Sequence, residues 1–124
     1  MKIIPRKIHG VLDYLVGALL IAAPWVLGFA DNGPATYLPV TLGSLTILYS
    51  LLTNYEMGVL RVIPFPAHLV MDFASGLLLA SSPWIFGFED RVWIPHLVVG
   101  LVEIGSSIMT RYSDPVLHAR PRTA

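Results

Sequence analysis

Cysteine is absent from this sequence, which excludes disulfides, thiolate metal sites and thiol redox chemistry together. Charge is scarce: Lys and Arg number 8, Asp and Glu 8, only 13% of the residues, with a formal net charge of zero. With 55% hydrophobic residues and a mean hydropathy of +0.68, too little polar surface is left to solvate a soluble globule of 124 residues. Also missing are a glycine-rich phosphate loop, a Gly-x-Ser-x-Gly elbow and a His-Glu-x-x-His motif. Ser81, Ser82, Ser106 and Ser107 have no base nearby in sequence, and His96 reaches a serine only if the fold brings them together. The expectation is therefore a non-enzymatic protein with no cofactor.

What the chain does have is a repeat. His9 to Asp31 recurs at His68 to Asp90 without a gap, HGVLDYLVGALLIAAPWVLGFAD against HLVMDFASGLLLASSPWIFGFED, with 11 identities in 23 positions. Each copy opens on His-x-x-x-Asp, carries Gly17 or Gly76 within an apolar run, and closes on Pro-Trp-x-x-Gly-Phe. A weaker match follows a loop of different length and pairs Gly43 with Gly100, Ser50 with Ser107 and Thr53 with Thr110. One two-helix unit used twice is the simplest reading.

Four apolar segments, His9 to Phe29, Ala35 to Thr53, Ala67 to Phe88 and Val92 to Thr110, each approach the roughly 20 residues that cross a bilayer core. Hydrocarbon offers the backbone no partners, so such spans must be helices. The expected fold is thus all-α, a four-helix transmembrane bundle of two parallel-related hairpins. Repeat one covers 9–53, an interfacial loop 54–66, repeat two 67–110 and a basic tail 111–124. Lys2, Arg6, Lys7, Arg61, Arg111, Arg120 and Arg122 fall on one side of this arrangement and only Arg91 on the other, which predicts both termini in the cytoplasm. Segment one resembles a signal peptide, but its duplication in segment three argues for a retained span.

The residues Ser82-Pro83-Trp84 with Gly87-Phe88, and Pro24-Trp25 with Gly28-Phe29 in the first copy, resemble the SPW repeat family of small prokaryotic membrane proteins. The resemblance covers nearly all of 9–110 and departs at Ala23, where the motif has serine. It implies a two-helix membrane unit occurring twice, placed in a prokaryotic cytoplasmic membrane, and implies no biochemical activity. The motif itself reads as an anchor and corner. Pro24 and Pro83 should bend or end their helices, and Ser81 or Ser82 can satisfy a carbonyl that Pro83 frees. Gly28 and Gly87 should allow the turn, and Trp25, Trp84, Phe29 and Phe88 should lie at headgroup depth.

Less apolar residues form stripes at spacings of three and four, and these faces should point inward. They are His9, Asp13, Gly17, Leu20, Pro24; Pro39, Gly43, Thr46, Ser50, Thr53; His68, Asp72, Gly76, Leu79, Pro83; and His96, Gly100, Glu103, Ser107, Thr110. The ionisable members are the only candidates for chemistry, because a carboxylate near the bilayer centre costs on the order of 3 kcal/mol without a partner. Asp13 and Asp72 are read as lying one turn inside their helices, each with a histidine, His9 or His68, four residues earlier. The favoured role is a polar clasp, aided by the helix dipole and by hydroxyls of Tyr49, Ser50 or Thr53. If the copies pack about an axis along the membrane normal, the same four side chains can gather around one divalent ion, although no metal site is assigned from this spacing alone. Glu103, matched by Thr46 in the first copy, should be a neutral acid donating a hydrogen bond, or else a protonatable group linked to His96 or Asp72.

The loop's Met57, Val59, Leu60, Val62, Ile63 and Phe65 suggest a segment lying on the membrane surface. The tail is expected to be disordered, to meet anionic lipid, and to be too short in basic residues for nucleic acid. The functional expectation is a structural or accessory membrane unit with the bilayer as its partner, and self-association through flat apolar faces. The alternative is a small proton or ion conduit using Glu103, Asp13 and Asp72. A membrane enzyme ranks below both.

Overall fold

The computed structural model describes residues 2–111. It is all-helical, with α1 (Arg6–Val26), α2 (Pro34–Leu51), α3 (Phe65–Ile85) and α4 (Ile94–Met109) in chain order. Every helix start is marked by proline, whose fixed φ and missing N–H suit a first turn. Pro5 and Pro64 cap α1 and α3, and Pro34 and Pro95 sit in the first turns of α2 and α4.

The Pro-Trp-x-x-Gly-Phe element ends α1 and α3. Gly28 and Gly87 take φ of 75° and 73°, a region that penalises any Cβ, and the next residue's N–H turns back onto the helix. Phe29 N–H donates to the Pro24 carbonyl and Phe88 N–H to the Pro83 carbonyl, both at 2.8 Å. This six-to-one closure is the Schellman geometry, so proline, glycine and phenylalanine occupy three fixed positions of one helix stop. Helices α1, α2 and α3 begin and end earlier than their apolar runs, α1 starting at Arg6 and stopping at Val26 where His9 and Phe29 were expected, whereas α4 starts later, at Ile94 rather than Val92. Asp13 and Asp72 therefore lie two turns inside their helices, beyond the reach of the terminal dipole.

Helices α1 and α2 pack together along their length, as do α3 and α4, while α2–α3 and α1–α4 contacts close the ring. Both hairpins are held at a glycine crossing. A Cβ on Gly43 would fall 2.6 Å from the Gly17 carbonyl oxygen, and one on Gly100 would fall 2.6 Å from that of Gly76. The backbones touch there, as membrane and soluble helices do when small residues face each other. Leu20, Leu42 and Leu79 form the buried apolar layer at mid-height, flanked by Val16 and Val99.

All residues of the four stripes are buried. By length and composition α1 alone among the described helices is long and apolar enough to cross a membrane, and α4 is a shorter apolar helix of 16 residues. The repeat extends further than the sequence alignment: Ile4 bridges Thr110, and Ile63 bridges Thr53, both in parallel sense. Ile4 N–H donates to Met109 O at 2.9 Å and Ile63 N–H to Leu52 O at 2.8 Å, so the segment leading into each copy is tied to the end of a second helix.

Candidate functional site

His9 and Asp13 on α1 meet His68 and Asp72 on α3 at the bundle end that carries the chain's entry and the 52–64 connection. His9 Nε2 lies 3.1 Å from Asp13 Oδ1 on its own helix and 2.7 Å from Asp72 Oδ2 on the other. His68 Nε2 reciprocates at 3.0 Å from Asp72 Oδ2 and 2.9 Å from Asp13 Oδ2. The spacing of four residues puts histidine and aspartate on one face, and the parallel copies then bring the two faces together. Both histidines are fully buried and both aspartates nearly so.

Outer partners complete the tetrad in crosswise fashion. His9 Nδ1 is 2.7 Å from Thr110 Oγ1 of the second copy, and His68 Nδ1 is 2.8 Å from Thr53 Oγ1 of the first. Each threonine spends its own proton on the preceding turn, Thr110 on Ser106 O and Thr53 on Tyr49 O. A hydroxyl with its proton so committed can only accept, so Nδ1 of each imidazole is the donor. Tyr49 O–H donates to Asp72 Oδ1 at 2.5 Å, and Tyr55 O–H to Asp13 Oδ2 at 3.0 Å.

The connection between α2 and α3 is a lid over this end. Tyr55 stacks on Phe65 at 5.5 Å, Phe65 on His68 at 5.7 Å, and the Phe65 ring meets His9 edge-on at 5.9 Å. Tyr14 O–H holds Met57 O at 2.8 Å, and the Arg6 guanidinium grips Glu56 with contacts of 2.7–3.2 Å. That hydrogen-bonded guanidinium holds the Glu56 carboxyl below its usual range. The sequence reading of a segment lying flat on lipid is corrected in part. Val59, Leu60 and Val62 are exposed, whereas Tyr55 and Phe65 are buried and Met57 packs against them, because two carboxylates below require a donor and a cover.

The opposite end has a different centre. His96 Nε2 donates to Ala35 O at 2.8 Å, the carbonyl left free because Pro39, four residues on, has no N–H. Ser82 Oγ likewise donates to Leu79 O at 2.7 Å, the carbonyl freed by Pro83. Phe29 and Phe88 turn into the bundle: they are buried with ring centres 5.2 and 4.9 Å from His96. The helix stop turns them inward and leaves Trp25 and Trp84 exposed. Arg91 binds Phe29 O at 3.0 Å and pairs with Asp31. Asp31's carboxyl is held below its usual range, first by the Gly33 N–H.

Glu103 is not linked to His96. It lies beside the tetrad, 3.4 Å from Ser75 Oγ, and lines a small cavity of about 10 Å³ with Asp13, Asp72, Thr46 and Ser106. Ser81, Ser82, Ser106 and Ser107 donate to carbonyls three or four residues earlier, and His96 meets phenylalanines instead.

Sequence reasoning passed over Tyr55 and Thr110 as parts of the site. Two signals were available: Ile-Pro stands five residues before each histidine, at Ile4-Pro5 and Ile63-Pro64, and Thr-x-Tyr recurs as Thr53-Asn54-Tyr55 and Thr110-Arg111-Tyr112. Residue 112 and the basic tail that follows lie outside the described residues. The family model described as SPW repeat domain matches residues 7–110. No curated protein and no solved structure matches the chain.

Proposed function

From the premise that this chain belongs to the SPW repeat family, we propose that it is a small, non-enzymatic integral membrane unit whose two copies are clasped by the His9, Asp13, His68, Asp72 tetrad. The observation that carries this reading is inverted polarity. His9, His68, His96, Asp13, Asp72, Glu103 and four threonines are buried, while Leu15, Leu48, Leu77 and Leu101 stand at 62%, 54%, 54% and 54% exposure on the outside of the four helices. Water would oppose such a surface and hydrocarbon accepts it.

The ends support the orientation. Lys2, Arg6, Lys7, Arg61 and Arg111 lie at the tetrad end, whereas Arg91 alone joins Asp31, Glu89 and Asp90 at the other, so the tetrad end is the cytoplasmic one. Helix α4, about 24 Å long at 1.5 Å per residue, is short for the bilayer core, a mismatch met by local thinning. The layer of Leu20, Leu42 and Leu79 separates the tetrad and Glu103 from His96, and this favours a passive unit over a conduit.

The absence of native cysteine makes the test direct. Single cysteines at Lys2, Gly33 and Asp90 are to be probed with a membrane-impermeant maleimide in intact cells, and the membranes then washed with alkaline carbonate. The expected result is retention in the membrane with labelling at Gly33→Cys and Asp90→Cys, and at Lys2→Cys only after permeabilisation. Release by carbonate overturns the membrane reading, and the reverse labelling pattern overturns the orientation.

A further inference from the structure

We propose that the tetrad is a binding site for one divalent transition-metal ion of the zinc type, with His9, Asp13, His68 and Asp72 as ligands. The inference goes beyond the clasp described above and rests on that tetrad being the junction of the two copies.

The donor set is the first argument. Two imidazoles and two carboxylates form an N2O2 group that suits a four-coordinate borderline cation. One candidate atom from each residue lies within 4.8 Å of all the others. Tetrahedral coordination at about 2.0–2.1 Å places ligand atoms roughly 3.3 Å apart. The nitrogen to oxygen separations of 2.7–3.1 Å need to open by only a few tenths of an ångström. Two carboxylates and one divalent cation also sum to zero, the condition under which charge can be kept in an apolar interior.

The second argument is independent of the cluster's composition. His68 is fully buried, yet its Nε2 makes no hydrogen bond, although Asp13 and Asp72 oxygens stand 2.9 and 3.0 Å away. Both oxygens are near enough but lie out of line for a shared proton, and a cation between them satisfies all three atoms. The third argument is the outer shell. Metal-bound histidines turn their second nitrogen to an acceptor that fixes ring and tautomer. Thr53 and Thr110 do this for both rings, since their committed hydroxyls accept from Nδ1 and leave Nε2 facing the centre. The same arrangement is built twice, from equivalent positions of the two copies.

A polar cleft of about 290 Å³ is lined by Arg6, Asn54, Tyr55, Glu56 and Arg61, and Tyr55 also touches Asp13. Glu103 lines the small cavity shared with Asp13 and Asp72 and stands outside the four-residue group.

The test uses the full chain, untagged and purified in detergent, with His118→Gln to remove the imidazole outside the described residues. Zinc is titrated by calorimetry and cobalt(II) by its visible absorption, which separates tetrahedral from octahedral coordination. The expected result is one ion per chain, a tetrahedral cobalt spectrum, and a thermal midpoint raised by stoichiometric zinc. Affinity should fall at least 100-fold in His68→Gln, and 10–100-fold in Thr53→Val, which keeps all four ligands. His96→Gln should bind as the parent does. A folded, monodisperse parent that takes up no zinc or cobalt overturns the metal site and leaves the clasp standing. Uptake unchanged by His68→Gln and Thr53→Val overturns it equally. The clasp itself fails separately, if His68→Gln without metal unfolds at the parental midpoint.

Discussion

The bundle has a histidine centre at each end, and the two solve the cost of burial differently. At the tetrad end, two imidazoles and two carboxylates share one enclosed space, each held by a partner from the other copy. At the far end, His96 stands alone between Phe29 and Phe88 and repairs a single carbonyl freed by Pro39. The first arrangement joins the two copies through mutual need. The second mends a local defect in one helix. A buried histidine is thus defined by what its two nitrogens face, which is why the same residue type carries a site at one end and a packing role at the other.

The sharpest way to break this comparison is to remove one member of each centre. Asp72 accepts from Tyr49 and lies within 3.0 Å of both histidines, so Asp72→Ala strips a partner from three buried groups at once. Breaking a buried ionic group typically costs about 3–5 kcal/mol. His96→Phe leaves only the Ala35 carbonyl unsatisfied, a loss of roughly 1–3 kcal/mol. Denaturant or thermal unfolding in one micelle system should rank Asp72→Ala well below His96→Phe. Equal losses at the two ends would mean that the tetrad has no special part in joining the hairpins.

Next in size is the glycine crossing. Gly100→Leu places a side chain against the Gly76 carbonyl and the Ala80 backbone, both 2.6 Å from the new Cβ, and overpacking of this kind costs about 1–3 kcal/mol. Gly105 has nothing within 4 Å, so Gly105→Leu in the same helix should be neutral or slightly stabilising. Smaller again is the helix stop. Gly28→Ala meets no neighbour, and its cost is the positive φ alone, roughly 1–2 kcal/mol, as for Gly87→Ala in the other copy. A difference between Gly28→Ala and Gly87→Ala in unfolding midpoint would show how unequally the two copies contribute.

These residues also mark how far the sequence could be read. The all-helical class and the inward stripes follow from periodicity and from the duplication, which are properties of the chain's own order, whereas the meeting of Gly17 with Gly43 and of Gly76 with Gly100 is seen only in the fold. Helix ends were displaced because apolar runs do not record where a glycine takes a left-handed conformation or where Pro5 and Pro64 set the first turn. The pairing of His9 with Asp13 was visible as a spacing of four. Its completion by Thr110, a hundred residues away, was not, since it depends on how the second copy docks. The lid was misjudged for the same reason. Met57 and Phe65 look like lipid-seeking residues until Tyr55 is seen to need a donor's position over Asp13 and an aromatic neighbour to hold it there.

The smallest expected effect sharpens the contrast between the enclosed tetrad and its wet rim. Glu56 and Arg6 pair at the lid's edge with side chains 33% and 14% exposed, and such pairs contribute about 0.2–1 kcal/mol. Because the Glu56 carboxyl is held below its usual value in the folded chain, its contribution is complete above the ordinary glutamate pKa near 4.3. It fades as pH falls through the lower folded value, where the carboxyl takes up a proton and the pair is lost. The difference in unfolding midpoint between the parent and Glu56→Gln should therefore be largest at pH 7 in low salt, shrink with added salt, and vanish in acid. Salt should leave the penalty of Asp72→Ala unchanged, since no ion atmosphere reaches a fully enclosed group. A Glu56→Gln difference that survives acid would mean that Glu56 steadies the lid by packing, and a salt-sensitive Asp72→Ala penalty would mean that water reaches the tetrad.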